Sequence, residues 1–176
     1  MTKHDLIGIF RTAVNNCKLV YASIMLFSHE DMSSFYKEWS SALDIPRAFD
    51  EDEIIALLSD REISKKAFSE LYDTVHRAAF KELFEITKDY CQATEQLSLL
   101  QGKSWYQFWR VIRNCLSHDF KFHFNTYDLT KIPVHWGTIT IDASMEGKSL
   151  THGDISREEL LSFLEEVLDF ITNDLA

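Results

Sequence analysis

The sequence predicts a mainly α-helical bundle with a small β-hairpin inserted before the last helix, and three observations predict it. Only five Gly and two Pro interrupt 176 residues, while 13 Phe, six Tyr and four Trp supply aromatic packing; that balance suits long helices and leaves few turn residues for an all-β protein. Apolar residues recur at steps of three or four over most of the chain, the spacing of one helix face. Between Phe120 and Ile141 the period becomes twofold, as in half-buried strands. No repeat, low-complexity segment or linker divides the chain, and 45% hydrophobic residues suffice for a core, so one domain over residues 1–176 is expected.

From Asp5 to Phe27, the residues Leu6, Ile9, Phe10, Ala13, Cys17, Val20, Ile24 and Phe27 mark a first amphipathic helix. A second is expected over His29 to Leu43, stopping before Pro46 because a residue preceding proline is pushed out of the helical region. Asp50 to Leu58 suits a short helix with carboxylates near its positive end, Asp50 to Glu53 being its solvated start. Residues 61–100 contain neither Gly nor Pro, and Ile63, Ala67, Leu71, Val75, Ala79, Leu83, Ile86, Tyr90, Ala93 and Leu97 predict one long helix or two nearly collinear ones. Gly102 breaks this run, and Ser104 is expected to cap a helix through Trp105, Phe108, Trp109, Ile112 and Leu116. Trp105 and Trp109 read as core or as dimer contacts.

After His118, Phe120, Phe122 and Phe124 alternate with Lys121, His123 and Asn125, and Thr138 to Ile141 is β-branched, which predicts an antiparallel hairpin. A further short strand is expected around Ser149 to His152, after a turn at Glu146 and Gly147. A capping box, Ser156 to Glu159, opens the final helix.

The opening MTKHDLIGIF does not read as a signal peptide, and no stretch approaches the roughly 18 apolar residues of a membrane span. Cys17, Cys91 and Cys115 are an odd, widely spaced set without CxxC, so reduced, buried thiols in a cytoplasmic protein are expected. A net charge of −10 repels polyanions at long range, so any nucleic-acid contact must be local.

The helix within RVIRNCLSHDF has the residues for such a contact. On a helical wheel Trp105, Phe108, Trp109, Ile112 and Leu116 form the core stripe, while Arg113, Ser117, Arg110, Asn114 and His118 share one polar arc. Between Gln101 and Asn125 four cations, Lys103, Arg110, Arg113 and Lys121, face one acid, Asp119. This segment is a candidate anion-attracting patch on an acidic chain.

Arg113, Asn114, three intervening residues and His118 resemble the Arg-x4-6-His motif of the HEPN (higher eukaryotes and prokaryotes nucleotide-binding) superfamily, in which the arginine is commonly followed by Asn, Asp or His. From composition, Arg-Asn with His four residues later is expected roughly 0.008 times by chance in such a chain. The resemblance implies a HEPN-like bundle and a metal-independent endoribonuclease without cofactor, working as a homodimer that brings two motifs to one cleft. It implies a toxin or antiviral-defence role, with an antitoxin or defence-system protein as partner. Arg113, Asn114 and His118 are then the catalytic residues, with Arg110, Ser117, Lys121 and His123 as RNA contacts. In toxins controlled by nucleotidyltransferases the motif often continues to a tyrosine two residues after the histidine; here that place is Phe120, so modification there is not expected.

These side chains suit cleavage through the ribose 2′-hydroxyl. Histidine has both protonation states available near neutrality for the proton steps, and the planar arginine fork remains charged and donates two parallel hydrogen bonds to phosphate. Asn114, four residues before His118, can orient the imidazole or hold a phosphate oxygen.

Three other readings compete. A catalytically silent HEPN dimer binds RNA, a nucleotide or a protein. His118-Asp119 also looks like the centre of the metal-dependent HD phosphohydrolases, which would need partners such as His76 and Asp169, but a strand is expected too soon after it. His118, Asp119, His123 and His135 lack the compact spacing of a zinc site.

Overall fold

The structure is a computed structural model describing residues 1–42, 50–151 and 153–176. Among these residues it is mainly helical, with one two-stranded antiparallel sheet. Leu43, Pro46 and His152, invoked for the second helix and the last strand, lie outside the described residues. The chain forms two compact units, one of Met1–Asn15 with Arg77–Ala176 and one of Asn16–His76.

The first unit contains the first half of α1 (Lys3–Phe27), the second half of α4 (Arg61–Ala93), and α5 (Leu97–Gln101), α6 (Tyr106–Ser117), α7 (Thr126–Leu129) and α8 (Arg157–Asn173). Its core is aromatic. Trp109, fully buried, meets Phe84, Phe163, Trp105 and Phe10 edge-on with ring centroids 5.1 to 6.3 Å apart. Such pairs each contribute about 0.5–1.5 kcal/mol beyond their buried area. Seven of the twelve residues of α6 are buried, among them Val111 and Cys115 beside the expected stripe. The helix is therefore clamped around most of its circumference, and its polar arc is narrow.

The face of α4 differs from the one its spacing suggests. Ile63 and Leu71 are exposed, and Tyr72, His76, Ala79, Phe80, Leu83, Phe84, Thr87, Tyr90 and Cys91 are buried. A run of four-residue steps drifts by roughly 40° per step on an α-helix. Five such steps separate Ile63 from Leu83, so these two residues point to nearly opposite sides. The helix ends at Ala93 in a Schellman turn, with Glu95 left-handed at φ 59°, Gln96 N–H donating to the Cys91 carbonyl at 2.7 Å and Glu95 N–H to that of Gln92 at 3.3 Å. Residues 61–100 are thus a 33-residue helix followed by a separate short one. Ser104 does not cap α6; Trp105 occupies the N-cap and makes no side-chain cap bond.

The hairpin lies later than the phenylalanine alternation suggests. β1 (Val134–Trp136) pairs with β2 (Ile139–Ile141) in the register Val134 to Ile141, across a turn with Gly137 at φ 55°. Residues 120–124 instead make one bridge, Lys121 to Ser149. Phe122 is fully buried while Lys121 and His123 are exposed, so the twofold alternation of faces holds without a paired strand. Trp136 donates to Glu166 of α8 at 2.7 Å and packs its ring on Phe163, fixing the hairpin on that helix. The box that opens α8 is formed: Ser156 accepts from Glu159 N–H and Glu159 accepts from Ser156 N–H, which holds the Glu159 carboxyl below its usual range.

In the second unit, α2 (Met32–Ala42) and α3 (Glu51–Ser59) accompany the rest of α1 and the start of α4. Asp50 caps α3 by accepting from Asp52 N–H at 2.9 Å, and no residue of α3 is buried, in keeping with a solvated acidic start. Phe27 stacks on Phe68 at 5.9 Å. Buried His76 stacks on Tyr72 at 3.7 Å and directs Nδ1 to the Tyr72 carbonyl at 3.0 Å.

All three cysteines are buried thiols, and burial raises Cys17 and Cys91 to about 11 and Cys115 to about 12. Native protein is therefore expected to leave all three unreacted with iodoacetamide at pH 8, whereas the guanidinium-unfolded chain is alkylated at every one, as intact mass will show. Because the folded state holds these protons more tightly, the associated stability is intact below an unfolded value near 9 and declines as pH rises from there through 11. Among the described residues no helix is long and apolar enough to cross a membrane.

Candidate functional site

The expected catalytic and RNA-contact residues all lie in the first unit, on α6 and the segment that follows it. Arg113 sits on the polar arc of α6 with its guanidinium held from two sides. Nη1 donates to Asn114 Oδ1 at 2.9 Å, and Nη2 forms a short ion pair with Glu85 of α4. The plane lies over Phe84, 5.8 Å from the ring centroid, and Nε is buried without a hydrogen-bond partner. The side chain as a whole retains 27% exposure. Asn114 orients the arginine, since its carbonyl oxygen is already engaged there.

His118 is the C-cap of α6, at φ −117° and ψ 53°, with its N–H donating to the Cys115 carbonyl and its side chain exposed. Asp119 and Phe120 then take left-handed conformations at φ 52° and 60°. Two successive left-handed non-glycine residues are uncommon, and a bulky Phe there is strained. The Arg77 guanidinium, 5.6 Å from the Phe120 ring centroid, packs on that side chain. This reversal folds the chain back, where Phe122 N–H meets the Lys148 carbonyl at 3.0 Å and Gly147 N–H meets that of Phe122 at 2.8 Å.

The fold-back places His123 against His118, the rings nearly perpendicular with centroids 5.6 Å apart. His123 Nδ1 lies 3.5 Å from Glu146 Oε1, an ion pair when the ring is protonated, and Glu146 Oε2 accepts from Phe124 N–H at 2.7 Å. The site residues thus form two groups, Arg113 with Asn114 and Glu85, and His118 with His123 and Glu146. Glu85 and Glu146 carry no local sequence signal that groups them with the site, apart from the turn expected at Glu146 and Gly147.

The remaining candidates differ in availability. Arg110 is committed inside the chain: it pairs closely with buried Asp128, donates through Nε to Gln107 at 3.0 Å and lies 4.5 Å over Tyr127. Ser117 is exposed and donates to the Arg113 carbonyl at 2.9 Å. Lys121 is exposed at the single bridge to Ser149. The positive excess counted along residues 101–125 is therefore largely cancelled in space, because Lys103 pairs with Asp174, Arg110 with Asp128 and Arg113 with Glu85.

No group of three or more His, Cys, Asp or Glu side chains is placed to hold a metal ion among the described residues. His76 is packed on Tyr72, Asp169 accepts from Asn173 Nδ2 at 2.7 Å, and His135 faces Thr140 Oγ1 at 2.9 Å on the hairpin. Compared with protein-family models, with curated proteins and with solved structures, the chain has no match in any of the three.

Proposed function

We propose that the chain is a HEPN-type, metal-independent endoribonuclease, acting as a homodimer in which two copies of the α6 polar arc meet at one cleft. The observation that carries this reading is that a helix clamped by core packing presents the Arg113–Asn114 pair on its outer arc and ends on exposed His118. Clamping matters because charge stabilisation of a phosphorane-like state works only from fixed donors. Arg113 holds the phosphate, His118 serves a proton-transfer step, and Ser117 and Lys121 extend the contact along the backbone. A role in toxin–antitoxin or antiviral defence, with a protein that restrains the enzyme, belongs to the same proposal.

Incubating the purified protein with mixed cellular RNA in EDTA tests it: cleavage is expected to persist, and cleavage abolished by chelation would favour the HD-type metal chemistry. Light scattering over a range of concentrations tests the dimer, and a strict monomer would remove the composite cleft.

A second reading is favoured by the Glu85–Arg113 pair: a catalytically silent HEPN dimer whose arginine is structural and whose surface binds RNA, a nucleotide or a protein. The two readings part at Glu85→Gln. If Arg113 serves RNA, releasing it from a partly exposed ion pair is expected to lower KM by up to about fivefold. A silent protein instead shows no turnover in either form.

A further inference from the structure

We infer that His123 is the second proton-transfer residue of this site, held by Glu146, so that each protomer carries an acid and a base of its own. The inference rests on the ribonuclease reading above. Displacement at phosphorus by the neighbouring 2′-oxygen needs a base on one side and an acid on the other, because the entering and departing oxygens lie on opposite sides of the phosphorus. One histidine cannot serve both places in a single turnover step; beside the second His118 that the composite cleft would supply, His123 offers a partner from the same chain. His118 and His123 are exposed, with rings nearly perpendicular and centroids 5.6 Å apart, so two imidazoles of one chain stand side by side at the surface.

The surroundings assign the roles. His123 Nδ1 faces the Glu146 carboxylate at 3.5 Å, so its protonated ring has an anionic partner, while His118 contacts no carboxylate among the described residues. His118 takes the 2′-hydroxyl proton as the 2′-oxygen bonds to phosphorus. The bond from phosphorus to the 5′-oxygen breaks, and His123 gives that oxygen its proton. The products are a 2′,3′-cyclic phosphate and a 5′-hydroxyl; the exchanged protonation states of the two rings reset through solvent. Glu146 is a positioning residue: its other oxygen accepts from Phe124 N–H at 2.7 Å, and the Lys121–Ser149 bridge holds that loop in place.

The test uses the full chain in EDTA and two oligoribonucleotide pools of randomised flanking sequence, one with an ordinary linkage and one whose 5′-bridging oxygen is replaced by sulfur, a leaving group that needs no acid. His123→Ala and His123→Gln are expected to slow the oxygen substrate at least about 100-fold and the sulfur substrate less than tenfold. His118→Ala is expected to slow both. Glu146→Gln is expected to lower kcat with KM unchanged, the deficit again vanishing with sulfur. Equal losses on both substrates at His123, or wild-type rates in both His123 variants, would overturn the inference and leave the ribonuclease reading standing. A wild type inert toward both pools overturns that reading first.

Discussion

His118→Ala is expected to reduce RNA cleavage in EDTA by about 100- to 10,000-fold, the range for loss of a positioned proton-transfer group. The fold is expected to survive. His118 is exposed, its ring lies against that of His123, and its helix-capping bond uses the backbone N–H, which alanine retains. Stability should change by less than about 0.5 kcal/mol, as for surface substitutions away from special features. Equal circular-dichroism melts with unequal turnover would therefore separate chemistry from folding. Arg113→Ala is a poorer probe, since it also removes the closer of the two cation partners of Glu85, leaving Lys88 at 4.0 Å, and strips the packing over Phe84. Arg113→Lys keeps the charge but not the planar fork, so a large loss there would point to two-pronged phosphate binding.

Asp128→Ala is expected to destabilise the first unit by about 3 kcal/mol in urea unfolding, with no specific role in cleavage. Asp128 is 1% exposed and engages both oxygens: one takes the Arg110 guanidinium, the other accepts the Asn125 N–H at 3.0 Å in the capping box of α7. Alanine would strand a largely buried guanidinium and remove one of the two bonds of the capping box, the other, from the backbone N–H of residue 128 to Asn125 Oδ1, remaining. The paired replacement Arg110→Met with Asp128→Leu removes both charges and is expected to recover part of the loss, because the cost lies mainly in the orphaned partner. The pairing with Asp128 gives Arg110 a structural role. If Arg110 also contacts RNA, Arg110→Met in the paired variant will weaken RNA binding even where stability is restored.

Much of the helical order was legible because long, uninterrupted apolar periodicity leaves few alternatives. The capping box at Ser156 and Glu159 is formed as its spacing suggests. The end of α4 was hidden because Glu95, and no glycine, takes the left-handed place in the Schellman turn. Phe120, Phe122 and Phe124 imitate a strand because a buried Phe122 between exposed neighbours needs only a twofold alternation; pairing depends on the partner segment, which supplies a single bridge at Ser149. The charge excess around α6 misled for a related reason. A count along the chain omits Glu85, Asp128 and Asp174, which folding brings to Arg113, Arg110 and Lys103. Glu146 likewise reaches His123 across 22 intervening residues, a separation that no local spacing rule covers.

The central claim, that Arg113 and His118 cleave RNA through its own 2′-hydroxyl without a metal, is tested most directly by the ends of the products. RNA digested by the wild-type protein in EDTA, and analysed by mass spectrometry, is expected to carry 2′,3′-cyclic phosphate and 5′-hydroxyl termini, with no cleavage 3′ to a 2′-deoxy residue. RNA left intact, or cut only when a divalent cation is restored and then bearing 5′-phosphate and 3′-hydroxyl termini, would contradict it.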